Sequence, residues 1–149
     1  MPALDPMPDV TRDDPAVKRM LSGKPRIAMV GASDNPARDS NRVFRYLRGH
    51  GYEVLPVNPV IPAVEGVATV PDLKAAAVHW KGQRIDIVDV FRAPEQVGPI
   101  VDDAVAVGAK AIWFQLGVVN PEAIAKAVRS GLEVVVDRCI KIEHARLRP

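Results

Sequence analysis

Apolar positions along this chain switch between short unbroken runs and helical spacing, and the switches fall at glycine, proline and asparagine. Ile27 to Val30 is an apolar run that ends at Gly31, and beyond Asn35-Pro36 the residues Val43, Phe44 and Leu47 mark one face of a helix. Gly49 and Gly51 stop that helix. Tyr52 to Val57 then predicts a second strand, closed by Asn58-Pro59 and complicated near its end by Pro56. From Ile61 to Val70 the chain is punctuated by Pro62 and Gly66, and it supports only a short extended piece at Val67 to Val70. Pro71-Asp72 starts a short helix through Leu73, Ala75 to Ala77 and Val78.

The same grammar repeats downstream. Ile85 to Val90 is a third strand, and Pro94 opens a helix carrying Val97, Ile100, Val101, Ala104 and Val105 before Gly108. Ala111 to Phe114 is a strand, Pro121 to Ser130 a helix with Ile124 and Val128 inward, and Glu133 to Val136 another strand. Asp137 is placed to cap a last helix reaching toward Arg146. Upstream, Thr11 or Asp13 caps a helix with Pro15 in its first turn and Val17, Met20 and Leu21 on one face, ended by Gly23. Met1 to Val10 carries three prolines and no apolar period, and reads as a flexible tail before a single domain over residues 11–149.

Strands that alternate with helices through short loops imply a mainly parallel sheet covered on both faces, an α/β doubly wound, Rossmann-type fold. In such sheets ligands bind outside the carboxyl ends of the strands, near the point where strand order reverses. That rule selects Gly31 to Asn41, Pro56 to Pro59, Phe91 to Pro94 and Gln115 to Asn120. The first of these is the strongest, because a strand that stops at glycine and feeds a helix aims unpaired N–H groups and the positive end of the helix dipole at one point.

Composition narrows the ligand. Twenty basic against eighteen acidic residues leave a net charge of +2, so no global field argues for nucleic acid or an anionic membrane, and any anion site is local. The dinucleotide fingerprint of three glycines and a following ribose-binding acid is missing: Gly31 is the turn's only glycine, and the second strand ends in Val57-Asn58-Pro59. The turn instead offers Ser33, Arg38, Ser40 and Asn41, hydroxyls and a guanidinium suited to phosphate oxygens. Arg42, Arg45 and Arg48 continue along the helix as a solvated basic face. Phe91 could cover an adenine or an aliphatic arm, Arg92 could reach a phosphate, and Gln115 could hydrogen-bond a ligand amide or base.

Five ordered motifs carry a resemblance: Val30 to Asn41, Pro56 to Pro59, Asp89-Val-Phe-Arg92, Trp113 to Val118 and Asp137 to His144. Together, over about Lys24 to Leu147, they resemble the small stand-alone CoA-binding proteins, which are similar to the N-terminal CoA-binding domain of the succinyl-CoA synthetase alpha subunit. The resemblance implies a Rossmann-type fold that holds coenzyme A or an acyl-CoA across the strand ends. It implies that Gly31, Ala32, Ser33, Pro36, Arg38 and Ser40, with Asn41 beside them, line the phosphates. Asn58 and Pro59 would face the adenosine, and Phe91, Arg92, Gln115 and Gly117 the rest of the cleft. The synthetase's later domain, with its phosphorylated histidine, has no counterpart in this sequence, so ligase activity is not carried over.

No catalytic constellation or metal-ligand spacing emerges: His50, His79 and His144 are dispersed, and Cys139 is the only cysteine. The expectation is therefore a non-catalytic, cytoplasmic binder of a small nucleotide ligand, with no nucleic acid and no membrane involved. The alternatives are an enzyme or redox protein using NAD(P) or thiol chemistry at Cys139, and an accessory subunit of an acyl-CoA enzyme. A second copy of the chain is the other candidate partner.

Overall fold

The computed structural model describes residues 9–149. Five parallel strands, β1 (Arg26–Val30), β2 (Glu53–Val57), β5 (Ile87–Val90), β6 (Ala111–Phe114) and β7 (Glu133–Val136), form one sheet in the order β2-β1-β5-β6-β7. A two-stranded antiparallel hairpin, β3 (Ala63–Val64) and β4 (Val67–Ala68), lies between β2 and β5 in sequence. Among the described residues six α-helices flank the sheet: α1 (Asp14–Leu21), α2 (Asp39–Gly49), α3 (Leu73–His79), α4 (Val97–Ala106), α5 (Pro121–Arg129) and α6 (Ile140–Leu147). The doubly wound α/β architecture expected from the alternation is therefore present.

Because strand residues alternate between faces, each strand feeds two cores. Ala28, Val88, Val90, Ile112, Phe114 and Val134 pack with residues of α3, α4 and α5 on one side. Ile27, Met29, Ile87, Trp113 and Val135 pack with residues of α1, α2 and α6 on the other. The chain reverses its winding between β1 and β5, which are direct neighbours. Their carboxyl ends, at Gly31 and Phe91, are where the loops diverge to opposite faces, and a ligand crevice follows from that divergence.

Several local details refine the sequence reading. Pro56 sits in the edge strand, where its carbonyl accepts from Val70 N at 3.1 Å on the side away from β1. Its missing N–H points the same outward way, so the sheet loses no ladder bond. The ambiguous segment resolves into the β3–β4 hairpin, whose Glu65-Gly66 turn has φ of 49° and 80°, the doubly left-handed pattern of a tight hairpin. In α5 the most buried positions are Ala123 and Ala127, whereas Ile124 and Val128 flank the core rather than point directly into it. Pro94 begins a short 3-10 turn (Pro94–Gln96) that runs into α4.

Asp13 caps α1, accepting from Ala16 N at 3.1 Å. Arg146 of α6 grips the Asp14 carboxylate with two bonds of 2.9 and 2.8 Å, joining the two helices. Asp137 does not cap α6. It adopts a left-handed φ of 59°, and its Oδ1 accepts from Gly117 N at 2.8 Å, while Cys139 occupies the N-cap position. Asp9 and Val10, at the end of the stretch read as a tail, pair with Val134 on the sheet edge, with Val10 N donating at 2.8 Å. The remainder of that stretch, Met1 to Pro8, lies outside the described residues.

Candidate functional site

Three adjoining cavities run along the carboxyl ends of the strands. The first, about 460 Å³, sits over the β1–α2 loop and is lined by Gly31, Ala32, Ser33, Arg38, Ser40, Asn58, Phe91 and Arg92, among others. The second, about 430 Å³, shares Asp39, Arg42, Phe91 and Arg92 with the first and continues to Val43, Gln115, Leu116, Val118 and Cys139. The third, about 190 Å³, lies across the switch point between Val30, Val57, Pro59, Pro71, Leu73 and Ile100. Arg92 borders all three.

The first cavity presents donors suited to an anion, beside the carboxylates of Asp34 and Asp39. The N-cap of α2 is Arg38, in extended conformation and with no side-chain capping bond, so among the described residues the first N–H groups of the helix have no acceptor. Capping therefore does not account for Ser40, which is buried and lines the cavity, nor for Asn41. The loop that delivers the helix is fixed by short polar contacts. Ser33 Oγ accepts from Asn35 N at 3.0 Å, and Asn35 Oδ1 accepts from Ala37 N at 2.9 Å. Gly31 makes the approach of β1 to β5 possible: at its φ of +87° a side chain would be strained, and an added Cβ would run into the Phe91 carbonyl.

Of the arginines near this cavity, two are committed and two are not. Arg42 pairs with Asp39 and donates to Ala37 O at 2.8 Å, and Arg45 donates to Asn41 Oδ1 at 2.8 Å and to Pro36 O at 3.2 Å. Among the described residues, the guanidinium groups of Arg38 and Arg92 make no hydrogen bond or ion pair, so both forks stand free at the cavity wall.

Some residues expected in the site serve it indirectly. Asn41 is fully buried, and its amide ties the β1 loop (Ser33 O, 2.9 Å) to the hairpin (Glu65 Oε2, 3.1 Å). Pro36 and Gly117 line none of the three cavities: the first supplies a carbonyl to Arg45, and the second is held by Asp137. Asn58 lines the first cavity but spends its amide on structure, donating to Ala32 O at 2.9 Å and accepting from Val60 N at 2.8 Å. Pro59 lines the third cavity.

Gln115 is buried at the floor of the second cavity, and its Nε2 donates to Asp89 Oδ1 at 2.5 Å. Asp89 is completely enclosed in the central strand, and among the described residues its Oδ2 has no hydrogen-bond partner. Burial pushes its carboxyl up to about 7, against the opposing pull of the Gln115 bond.

Sequence reasoning missed Val43, Leu116, Lys141 and Ile142 as walls of the second cavity, and it singled out Cys139 only for thiol chemistry, not as part of this wall. Leu116 belongs to the Trp113 to Val118 motif and the α6 residues to the Asp137 to His144 motif, but nothing in the spacing says that the start of α6 turns back to the β1–α2 loop. No group of three or more histidine, cysteine or acidic side chains among the described residues could hold a metal ion. Nor is any described helix long and apolar enough to cross a membrane.

Known proteins resemble this chain in sequence and in fold. The uncharacterized protein YneT of Bacillus subtilis (strain 168) is 40% identical over 129 residues, covering 87% of this chain and 92% of YneT. A hypothetical protein from Pyrococcus horikoshii OT3 superposes with a TM-score of 0.84 at 37% identity, covering 98% of this chain and all of that one. The dinucleotide-forming acetyl-coenzyme A synthetase 1 of Ca. Korarchaeum cryptofilum shares the fold over 79% of this chain and 27% of its own length, with a TM-score of 0.64 at 21% identity. The CoA binding domain family matches residues 25–145, which span all five strands and the three cavities, and the chain belongs to that family.

Proposed function

We propose that the chain binds coenzyme A, or an acyl-CoA, in an extended conformation across the three cavities and does no chemistry of its own on the acyl group. The observation that carries this reading is the uncapped start of α2, facing a cavity that also holds two unpaired guanidinium groups, Arg38 and Arg92. The pyrophosphate sits there, taking N–H bonds from the helix start and the Ser33 and Ser40 hydroxyls together with the arginine forks.

The third cavity receives the adenosine between aliphatic side chains, close to Pro59. The pantetheine arm runs past Phe91 into the second cavity, where Val43, Val118 and Leu116 offer an apolar wall. Arg92, bordering all three spaces, stands at the bend of the ligand. NAD is disfavoured because β2 ends in Val57-Asn58 rather than in an acidic residue, and the Asn58 amide is already engaged.

Isothermal titration tests the reading. Saturable heat with CoA and none with NAD under the same conditions is expected; no heat at millimolar CoA would overturn it.

A further inference from the structure

The central strand carries a buried acid that simple binding does not use. Asp89 is fully enclosed, its Oδ1 accepts from Gln115 Nε2 at 2.5 Å, and its Oδ2 is the only buried side-chain polar atom among the described residues without a hydrogen-bond partner. Its neighbours in register, Met29 and Trp113, offer it no charge. Gln115 lines the second cavity, so a single side chain links the enclosed acid to the cleft. The ionisable groups around that cavity are Asp39 and Arg42 of α2, Arg92 beyond β5, and Cys139 and Lys141 at the start of α6. Farther along α6, Glu143 is paired with Arg146, and His144 with Tyr46. Among the described residues none of these bonds to Asp89, whose side chain has Gln115 as its one partner.

The pair has two arrangements. A carboxylate only accepts, so charged Asp89 takes an N–H of Gln115, as observed. A protonated carboxyl has a hydrogen to donate. On Oδ2 that hydrogen would meet no acceptor among the described residues, whereas on Oδ1 it is satisfied once the Gln115 amide turns over and offers its oxygen. The oxygen and nitrogen ends of an amide are nearly the same shape, so the turnover needs no repacking. Burial pushes the Asp89 carboxyl up to about 7, which brings both arrangements within reach near neutral pH.

We propose that Asp89 is a positioning residue for the coenzyme, acting through Gln115: charged, it turns the amide oxygen to the second cavity, and protonated, it turns the amide N–H groups there to donate to a carbonyl of the pantetheine arm. This inference rests on the reading of the cleft as a CoA site. Phosphates in the adjoining first cavity add negative charge near the acid, so bound coenzyme favours the protonated arrangement. By linkage, affinity falls as pH rises through about 7.

The test is titration calorimetry with CoA across pH on wild type and on Asp89→Asn, whose amide keeps the shape of the acid and donates without titrating. The variant should bind about tenfold more tightly than wild type at about pH 8.5, and that advantage should vanish by about pH 6. Comparing the two removes the titration of the coenzyme's own phosphates. Parallel pH profiles would overturn the inference, because Asp89 would then be a structural acid only. In the free chain, the Gln115 side-chain amide signals in 15N NMR should shift with a midpoint near 7 in wild type and stay fixed in Asp89→Asn; signals that stay fixed in both would overturn it without reference to CoA. CoA binding with parallel profiles defeats this inference alone, and absence of CoA binding at every pH defeats the reading of the cleft and this inference with it.

Discussion

Gly31→Ala tests the junction on which the cleft depends. Gly31 sits where β1 stops, with a φ of +87°, and an added Cβ would overlap the Phe91 carbonyl oxygen while lying 2.9 Å from its carbon. Two costs follow. Left-handed backbone geometry in a residue with a Cβ costs about 1–2 kcal/mol. Relieving the overlap means moving the end of β5, which is tied to β1 through Phe91 N to Val30 O at 2.8 Å, and overpacking of this kind costs about 1–3 kcal/mol more. Gly23→Ala is the matched control: its φ is +76°, but no atom lies within 4 Å of the added Cβ, so only the backbone cost applies. Urea unfolding should place Gly31→Ala below Gly23→Ala by about 1–3 kcal/mol, the steric part alone. Only the Gly31 variant should also lose CoA affinity, since Gly31 lines the first and third cavities. Equal stabilities, within about 0.5 kcal/mol, would refute the claim that close approach of β1 and β5 requires glycine here.

Three further outcomes follow from the structure. Arg38→Ala should weaken CoA by about 1.5–3 kcal/mol in titration calorimetry, the range for hydrogen bonds to charged groups, with the unfolding midpoint unchanged because Arg38 is exposed and unpaired; unaltered affinity would remove it from the site. Asp89, pushed up to about 7, holds its proton in the folded chain at pH values where the unfolded chain, near 4, has released it. Stability should therefore fall by on the order of a few kcal/mol as pH rises from about 4 through 7, and urea midpoints of Asp89→Asn should lack that fall. Asp137→Ala should cost about 1–2 kcal/mol in the same assay, losing the bond from Gly117 N and keeping the left-handed backbone, whereas Asp137→Asn, which tolerates that backbone and can still accept, should cost less.

The strands and helices were legible because their signals are local. Apolar runs such as Ile27 to Val30 and Ala111 to Phe114, bounded by glycine or proline, give the strand positions directly, and alternation with helices gives the parallel sheet. What the sequence hides is which polar groups meet. Asn41 and Asn58 look like ligand contacts in a phosphate-binding turn, yet their amides hold the turn together through Ser33, Glu65 and Ala32. Asp137 looks like a helix cap, because Asp before a helix usually is one, but a left-handed backbone turns its carboxylate to Gly117. The second cavity was hidden for a similar reason: α6 is remote in sequence from α2, and only the packing of both on one face of the sheet brings Cys139 beside Arg42 and Phe91.

A crystal structure of the chain grown with saturating CoA would show where the coenzyme lies. Pyrophosphate oxygens are expected within hydrogen-bond distance of the α2 N-terminus and of Arg38 and Arg92, with adenosine in the third cavity and the pantetheine arm along Gln115. Coenzyme bound elsewhere, or an empty cleft at saturating ligand, would contradict the proposed binding mode.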